Sequence, residues 1–269
     1  MGLMQASVTG RVTIVVPCYN EARRLDVEAF RRFVAEDLKR QLLFVDDGSE
    51  DETPEILVSL CARLPEQMRV LRFDANRGKA EAVRRGLLRG LQDGAEIVGY
   101  LDADSATPPD EMARLLDVLR TSRAHVLLGA RIALLGRDIR RDPLRHYLGR
   151  IFATLASLVL GLAVYDTQCG AKVFRRTPAL EAALRSPFLS RWVFDVELLG
   201  RLLAPGSGLP GLHPGDMREE PLAIWRDVPG SKVGPRHFVR AALDLTRIAV
   251  DLKRRRLESH ATSKVARGR

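Results

Sequence analysis

Five short apolar runs punctuate the first half of the chain, and each gives way to polar or turn-forming residues before an amphipathic stretch begins. Residues 12–16 are stopped by Pro17, 42–45 run into Asp46-Asp47-Gly48-Ser49, and 68–73, 95–101 and 124–128 repeat the pattern. Between them Leu25, Phe30, Phe33, Val34 and Leu38 recur at near-helical spacing, and Thr53-Pro54-Glu55 supplies a capping residue and a first-turn proline. Helical patterns also cover 77–92 and 109–121. Apolar strands alternating with helices bury both faces of a sheet, so the expected fold is α/β: a mostly parallel twisted sheet with helices on both faces.

Ligands of such sheets bind beyond the carboxyl ends of the strands. Asn20-Glu21, Asp46-Asp47, 76–79 and 102–104 all follow expected strands, so they gather along one edge. Leu101-Asp102-Ala103-Asp104-Ser105 places two carboxylates at i and i+2 of an extended segment, where they point the same way and suit a hard cation. With no His or Cys beside them, the metal reading is Mg²⁺ or Mn²⁺; the plain alternative is a pair of turn-forming residues. Arg77-Gly78-Lys79 opens a helix, where free N–H groups and the macrodipole favour an anion and Lys79 adds a point charge, unless Lys79 is a solvated surface residue. The glycine pattern there is not GxGxxG and no GxxxxGK[ST] loop occurs, which removes support for NAD binding and ATP hydrolysis.

The net charge of +9 over 269 residues favours partners carrying phosphate or an anionic membrane surface. Aromatics are only 6% of the chain and form no stripe with Lys and Arg, which argues against nucleic acid. Cys18, Cys61 and Cys169 are far apart, form no zinc or disulfide framework, and fit a reducing cytoplasmic compartment. No signal peptide is apparent at the N-terminus. The apolar run 151–165, as a helix, would reach about 23 Å against a ~30 Å hydrocarbon core, so it is expected to be buried, intersubunit or interfacial rather than spanning. Residues 137–143 read as a mobile charged loop. Beyond 235 an amphipathic helix is expected, with Phe238, Ala242, Leu245, Ile248, Ala249 and Leu252 on one side, followed by Lys253-Arg254-Arg255-Arg256 and a disordered tail. The domain boundaries expected are 11–235 and 236–269.

VVPCYNE at 15–21, FVDDGS at 44–49, NRGKAEAVRRG at 76–86 and DTQCGAKVF at 166–174 together resemble the inverting glycosyltransferases of family 2. The likeness is closest to the branch that makes dolichyl-phosphate glucose and related polyprenyl-phosphate sugars, and it covers about residues 11–235. It implies a GT-A fold, with a Rossmann-like nucleotide-binding half and an acceptor half. It places Pro17, Tyr19, Glu21, Val45 and Asp47 around the nucleoside, Asp102 near the ribose, Ala103 among the donor-binding residues, and Asp104 on the diphosphate-bridging cation, with Asp102 as second metal ligand. Lys79 and Lys232, the latter in a GSK loop that can close, would hold the diphosphate of the donor.

Arg191-Trp192-Val193-Phe194-Asp195 resembles the family's catalytic segment and maps the expected base to Asp195, while Glu197 is expected to point elsewhere. A phosphate monoester is already mostly a dianion at neutral pH, so with a polyprenyl phosphate acceptor Asp195 would orient rather than deprotonate. Arg131 is the expected cation for the acceptor phosphate or, equally, a structural ion-pair partner. Mannose-transferring relatives carry DADxQ; Ala106 replaces that Gln here, which favours UDP-glucose. Eukaryotic glucosyl members carry an N-terminal membrane helix that this sequence lacks, so peripheral attachment at the inner membrane face would fall to 151–165 or the C-terminal helix. A saccharide or small-molecule hydroxyl acceptor, and a non-catalytic phosphate- or membrane-binding module, are the alternatives. An oligomer is compatible with all of them.

Overall fold

The computed structural model describes residues 10–140, 143–206, 208–228 and 235–267. Its strands are β1 (Val12–Cys18), β2 (Arg40–Asp46), β3 (Met68–Arg72), β4 (Ile97–Leu101), β5 (Val126–Ala130), β6 (Asp138–Arg140), β7 (Ala171–Arg175), β8 (Met217–Pro221) and β9 (Ile224–Arg226). Its helices are α1 (Val27–Ala35), α2 (Thr53–Arg63), α3 (Lys79–Gln92), α4 (Pro109–Thr121), α5 (Pro143–Leu160), α6 (Pro178–Arg185), α7 (Phe194–Leu203) and α8 (Pro235–Arg267).

Seven strands form one sheet in the order β3-β2-β1-β4-β7-β5-β8. All neighbours are parallel except β7, which runs antiparallel to both β4 and β5. The alternation along each strand explains the two cores. Val12, Ile14, Val16, Leu42 and Phe44 pack under α1, α2 and α4, whereas Val15, Leu43 and Val45 face α3 and the second-half helices. Strands buried on both faces read as unbroken apolar runs, as these do. Local signals set the helix starts: the Asp26 carboxylate accepts the Ala29 N–H at 2.9 Å, and Thr177 caps α6 ahead of Pro178.

Five expectations change. Leu38 is exposed because α1 ends at Ala35, so the helical face stops short of it. The charged loop contains β6, which pairs in parallel with β9 and is fastened by Arg226 to Asp138 at 2.7 Å. The run 151–165 is not one helix: α5 begins earlier, at Pro143, and stops before Gly161, whose φ of +66° turns the chain back toward the sheet. The expected disordered tail continues as α8 through Arg267. On α8, Leu245, Ile248 and Leu252 are buried as expected, and Ala242 is exposed.

Candidate active site

A cavity of about 520 Å³ lies across the carboxyl ends of β1 and β4. It is bounded by Pro17, Tyr19 and Glu21 beyond β1, Lys79 at the start of α3, and Asp102, Ala103, Asp104 and Ala106 beyond β4. Arg131 beyond β5, Phe152 and Ala153 of α5, and Asp195 in the first turn of α7 close the other side. Most of the residues read from the sequence thus meet at one site. Val45 is fully buried in the core under α3, and Lys232 lies outside the described residues.

The carboxylate end is tightly built. Lys79 Nζ sits 2.5 Å from Asp102 Oδ1, and the Asp102 N–H donates to the Gly170 carbonyl at 3.0 Å. Gly170 makes room for the carboxylate: a Cβ there would lie 2.1 Å from Asp102 Oδ2. Asp104 Oδ1 accepts the Ala106 N–H at 3.1 Å across a turn in which Ser105 takes φ of +61°. Burial and the neighbouring Asp102 raise the Asp104 carboxyl above the ordinary range. Burial, helped by Asp104 and Asp102, pushes Glu21 up to about 7 although Arg24 lies 2.6 Å away. Burial pulls Lys79 down, but Asp102, Asp195 and Asp104 outweigh it and its ammonium is held above the usual lysine value.

Carboxylates that raise one another's proton affinity form a site short of positive charge. Among the described residues no three His, Cys, Asp or Glu side chains gather closely enough to hold a metal alone. Two carboxylates with hard oxygens fit a Mg²⁺-type ion that takes its remaining ligands from water and a substrate diphosphate.

Asp47 stands behind this end and does not line the cavity. Its two oxygens accept the Arg77 and Gly78 N–H groups at 2.7 and 2.8 Å, so it folds the turn ahead of α3. Burial raises its carboxyl, and those two N–H groups partly offset the effect. The turn is also held from the α7 side, by Arg191 Nε on the Arg77 carbonyl at 3.0 Å and Arg191 Nη2 on Asn76 Oδ1 at 3.0 Å. Gly78 takes φ of +95°, and a Cβ on it would strike Arg191 Nε at 2.5 Å. Arg191 had no assigned part in the sequence reading.

Lys172 and Tyr100 were also missed. Asp195 Oδ1 accepts from Lys172 Nζ at 2.6 Å and from the Tyr100 hydroxyl, while Lys172 Nζ also donates to the Cys169 carbonyl at 2.6 Å. Lys172 is fully buried on β7, and a lysine inside the apolar stretch Ala171-Lys172-Val173-Phe174 was the available signal, because buried lysines are almost always paired. Burial and Asp195 together raise the Tyr100 phenol well above its usual value. Glu197 turns the other way and closes on Arg201 at 2.5 Å.

Arg131 spends its planar fork on Asp166, with Nε and Nη2 at 2.7 and 2.8 Å, and its guanidinium stacks 5.3 Å from the Trp225 ring centre. Although burial opposes it, Asp166 raises the affinity of Arg131 for its proton. Asp166 is itself anchored through its N–H to Glu219 at 2.8 Å. Of its two readings, the geometry favours the structural ion pair that braces the wall of the cavity.

The model of the family described as Glycosyl transferase family 2 matches residues 13–181. The chain belongs to this family. It is therefore a glycosyltransferase, and the strand order carries its GT-A fold. Similar curated proteins include a dolichyl-phosphate beta-glucosyltransferase of Trichomonas vaginalis, 31% identical over 88% of this chain and 70% of that protein. Those of Saccharomyces cerevisiae and Homo sapiens are each 30% identical, over 90% and 85% of this chain and 72% and 71% of theirs. Among solved structures, glucosyl-3-phosphoglycerate synthase of Mycobacterium tuberculosis superposes with a TM-score of 0.64 at 17% identity, covering 91% of this chain and 81% of that one. The same enzyme in complex with Mn²⁺, UDP and glucosyl-3-phosphoglycerate gives 0.62 at 18% identity, over 88% and 80%. These likenesses concern the fold.

Proposed function

We propose that this glycosyltransferase moves glucose from UDP-glucose to a polyprenyl or dolichyl phosphate, with inversion at the anomeric carbon and with Mg²⁺ or Mn²⁺ as cofactor. The observation that carries the reading is the division of one cavity between a charged donor end, Lys79 with Asp102 and Asp104, and an acceptor end walled by the apolar helix α5. The names of the curated relatives support the acceptor and the sugar.

In this reading Pro17, Tyr19 and Glu21 frame the nucleoside, and Asp47 acts at one remove by shaping the turn that presents Lys79. Lys79 steadies the departing diphosphate, and Asp102 and Asp104 hold the cation. When bound, the cation neutralises charge developing on the leaving group. Asp195 lies on the acceptor side of Lys79 and orients the reacting groups.

The outer face of α5 favours a lipid over a soluble acceptor. Ala153, Ala156 and Leu160 are buried, whereas Ile151, Leu155 and Leu158 on the opposite face are 60, 45 and 75% exposed. A helix apolar on all sides is normally covered all round. The neighbouring α8 alternates exposed Leu243, Val250 and Leu257 with Arg247 and Arg254, which suits an anionic headgroup layer. No helix among the described residues is long and apolar enough to cross a membrane, so the contact proposed is peripheral.

The test is incubation with labelled UDP-glucose, UDP-galactose, UDP-GlcNAc or GDP-mannose, with and without polyprenyl phosphate and Mn²⁺. Label entering the organic phase from UDP-glucose alone is the expected result. Absence of lipid product from every donor overturns the acceptor, and product from another donor overturns the sugar.

A further inference from the structure

Lys172 and Tyr100 are costly residues to bury. An ammonium and a phenol in the closed interior lose hydration that only good partners replace, and here both converge on a single oxygen, Asp195 Oδ1. They reach it from adjacent strands, Lys172 from β7 and Tyr100 from the end of β4, one residue before the Leu101 that leads into Asp102. The Lys172 ammonium is fixed in turn by the Cys169 carbonyl, and the Tyr100 ring stacks on Phe174 at 6.4 Å. The carboxylate therefore cannot rotate without breaking two bonds, and Oδ2 is the oxygen left to meet a substrate.

We propose that Lys172 and Tyr100 are positioning residues that lock Asp195 by Oδ1, so that Oδ2 meets the reacting groups in one fixed orientation. This rests on the phosphate-acceptor reading above. In the transfer itself, a lone pair of the acceptor phosphate oxygen forms the bond to the anomeric carbon. The bond from that carbon to the donor diphosphate breaks, and its electron pair departs on the nucleoside diphosphate. No proton has to move, so Asp195 needs no free basic oxygen. The groups facing Asp195 are Lys172 from β7, Tyr100 from β4 and Lys79 from α3, with Asp102 beyond Lys79.

The experiment uses the full chain with UDP-glucose, Mn²⁺ and farnesyl phosphate as acceptor. Lys172→Met and Tyr100→Phe are expected to lower kcat about 10- to 100-fold with little change in the donor KM. Lys172→Arg, which keeps a positive charge and a donor at the same place on β7, should restore part of the lost kcat. A folded Lys172→Met protein with unchanged kcat overturns the lock.

A second readout needs no acceptor. Lys172→Met leaves Asp195 buried without its counter-charge, so adding Asp195→Asn to it should raise the unfolding midpoint, while Asp195→Asn alone should lower it. Additive midpoints overturn the lock. If the wild type makes no lipid product, the acceptor reading fails by itself, and the stability cycle still decides for or against the lock.

Discussion

Gly170 stands where any side chain would collide with Asp102, since a Cβ there would fall 2.1 Å from the Asp102 carboxylate. Gly170→Ala is expected to displace Asp102 from Lys79 and from the metal position while leaving the sheet paired. Activity should drop about 100-fold, with the Mn²⁺ concentration for half-activation raised and the thermal midpoint nearly retained. An active Gly170→Ala enzyme with unaltered Mn²⁺ dependence would show that Asp102 needs no such clearance.

Asp47 acts through the turn it organises rather than through the cavity wall. Asn at this position keeps one acceptor oxygen but turns an NH₂ group toward a backbone N–H, so one of the two bonds to Arg77 and Gly78 must be lost. Asp47→Asn should cost about 1–3 kcal/mol of stability and weaken UDP binding, measured by calorimetry. Loss of nucleotide binding with no loss of stability would instead mark Asp47 as a direct ligand.

Glu21 makes stability depend on pH. Its carboxyl titrates near 7 in the folded protein against an ordinary value of 4.5, so between those values the unfolded chain releases a proton that the native state keeps. Stability contributed by the protonated form is complete below pH 4.5 and is lost as the pH rises toward 7. Glu21→Gln removes that loss, and the variant should gain roughly 2–3 kcal/mol over the wild type at pH 8 relative to pH 4.5. Denaturant unfolding in metal-free buffer at the two pH values measures it, and a pH-independent difference would contradict the assigned titration.

The exposed face of α5 has a direct assay. Replacing Ile151 and Leu158 together by Asp should weaken binding to phosphatidylserine-containing vesicles by at least about 100-fold, because each apolar side chain contributes roughly 1.5–3 kcal/mol when buried. UDP binding should be unaffected. A wild-type dimer in light scattering that the same substitutions dissociate would assign the face to a second copy instead.

The parallel half of the sheet was legible because its strands are buried on both sides and its helices carry one apolar stripe each. The alternation of β1 to β4 with helices, and the gathering of Glu21, Lys79, Asp102 and Asp104 along one edge, follow from that periodicity and from the binding of ligands beyond the carboxyl ends of such strands. The place of β7 was not legible, because pairing between β4 and β5 is set by tertiary contacts and leaves no local mark. Lys172 and Arg191 escaped for the same reason: their partners, Asp195 and the Asn76–Arg77 carbonyls, are distant in sequence. Val45 was placed at the nucleoside by likeness to neighbouring motif residues, but strand alternation turns it under α3.

The antiparallel insertion of β7 also bears on how the chain matures. During synthesis β4 and β5 emerge well before Ala171, and neither can complete its hydrogen bonding until β7 arrives to occupy the gap between them. A nascent chain at that stage carries open edges on both β4 and β5, the condition that invites mispairing with other chains. The strand that closes the gap also carries Lys172, which meets Asp195 once α7 has followed, so the active site is completed after the gap between β4 and β5 is filled.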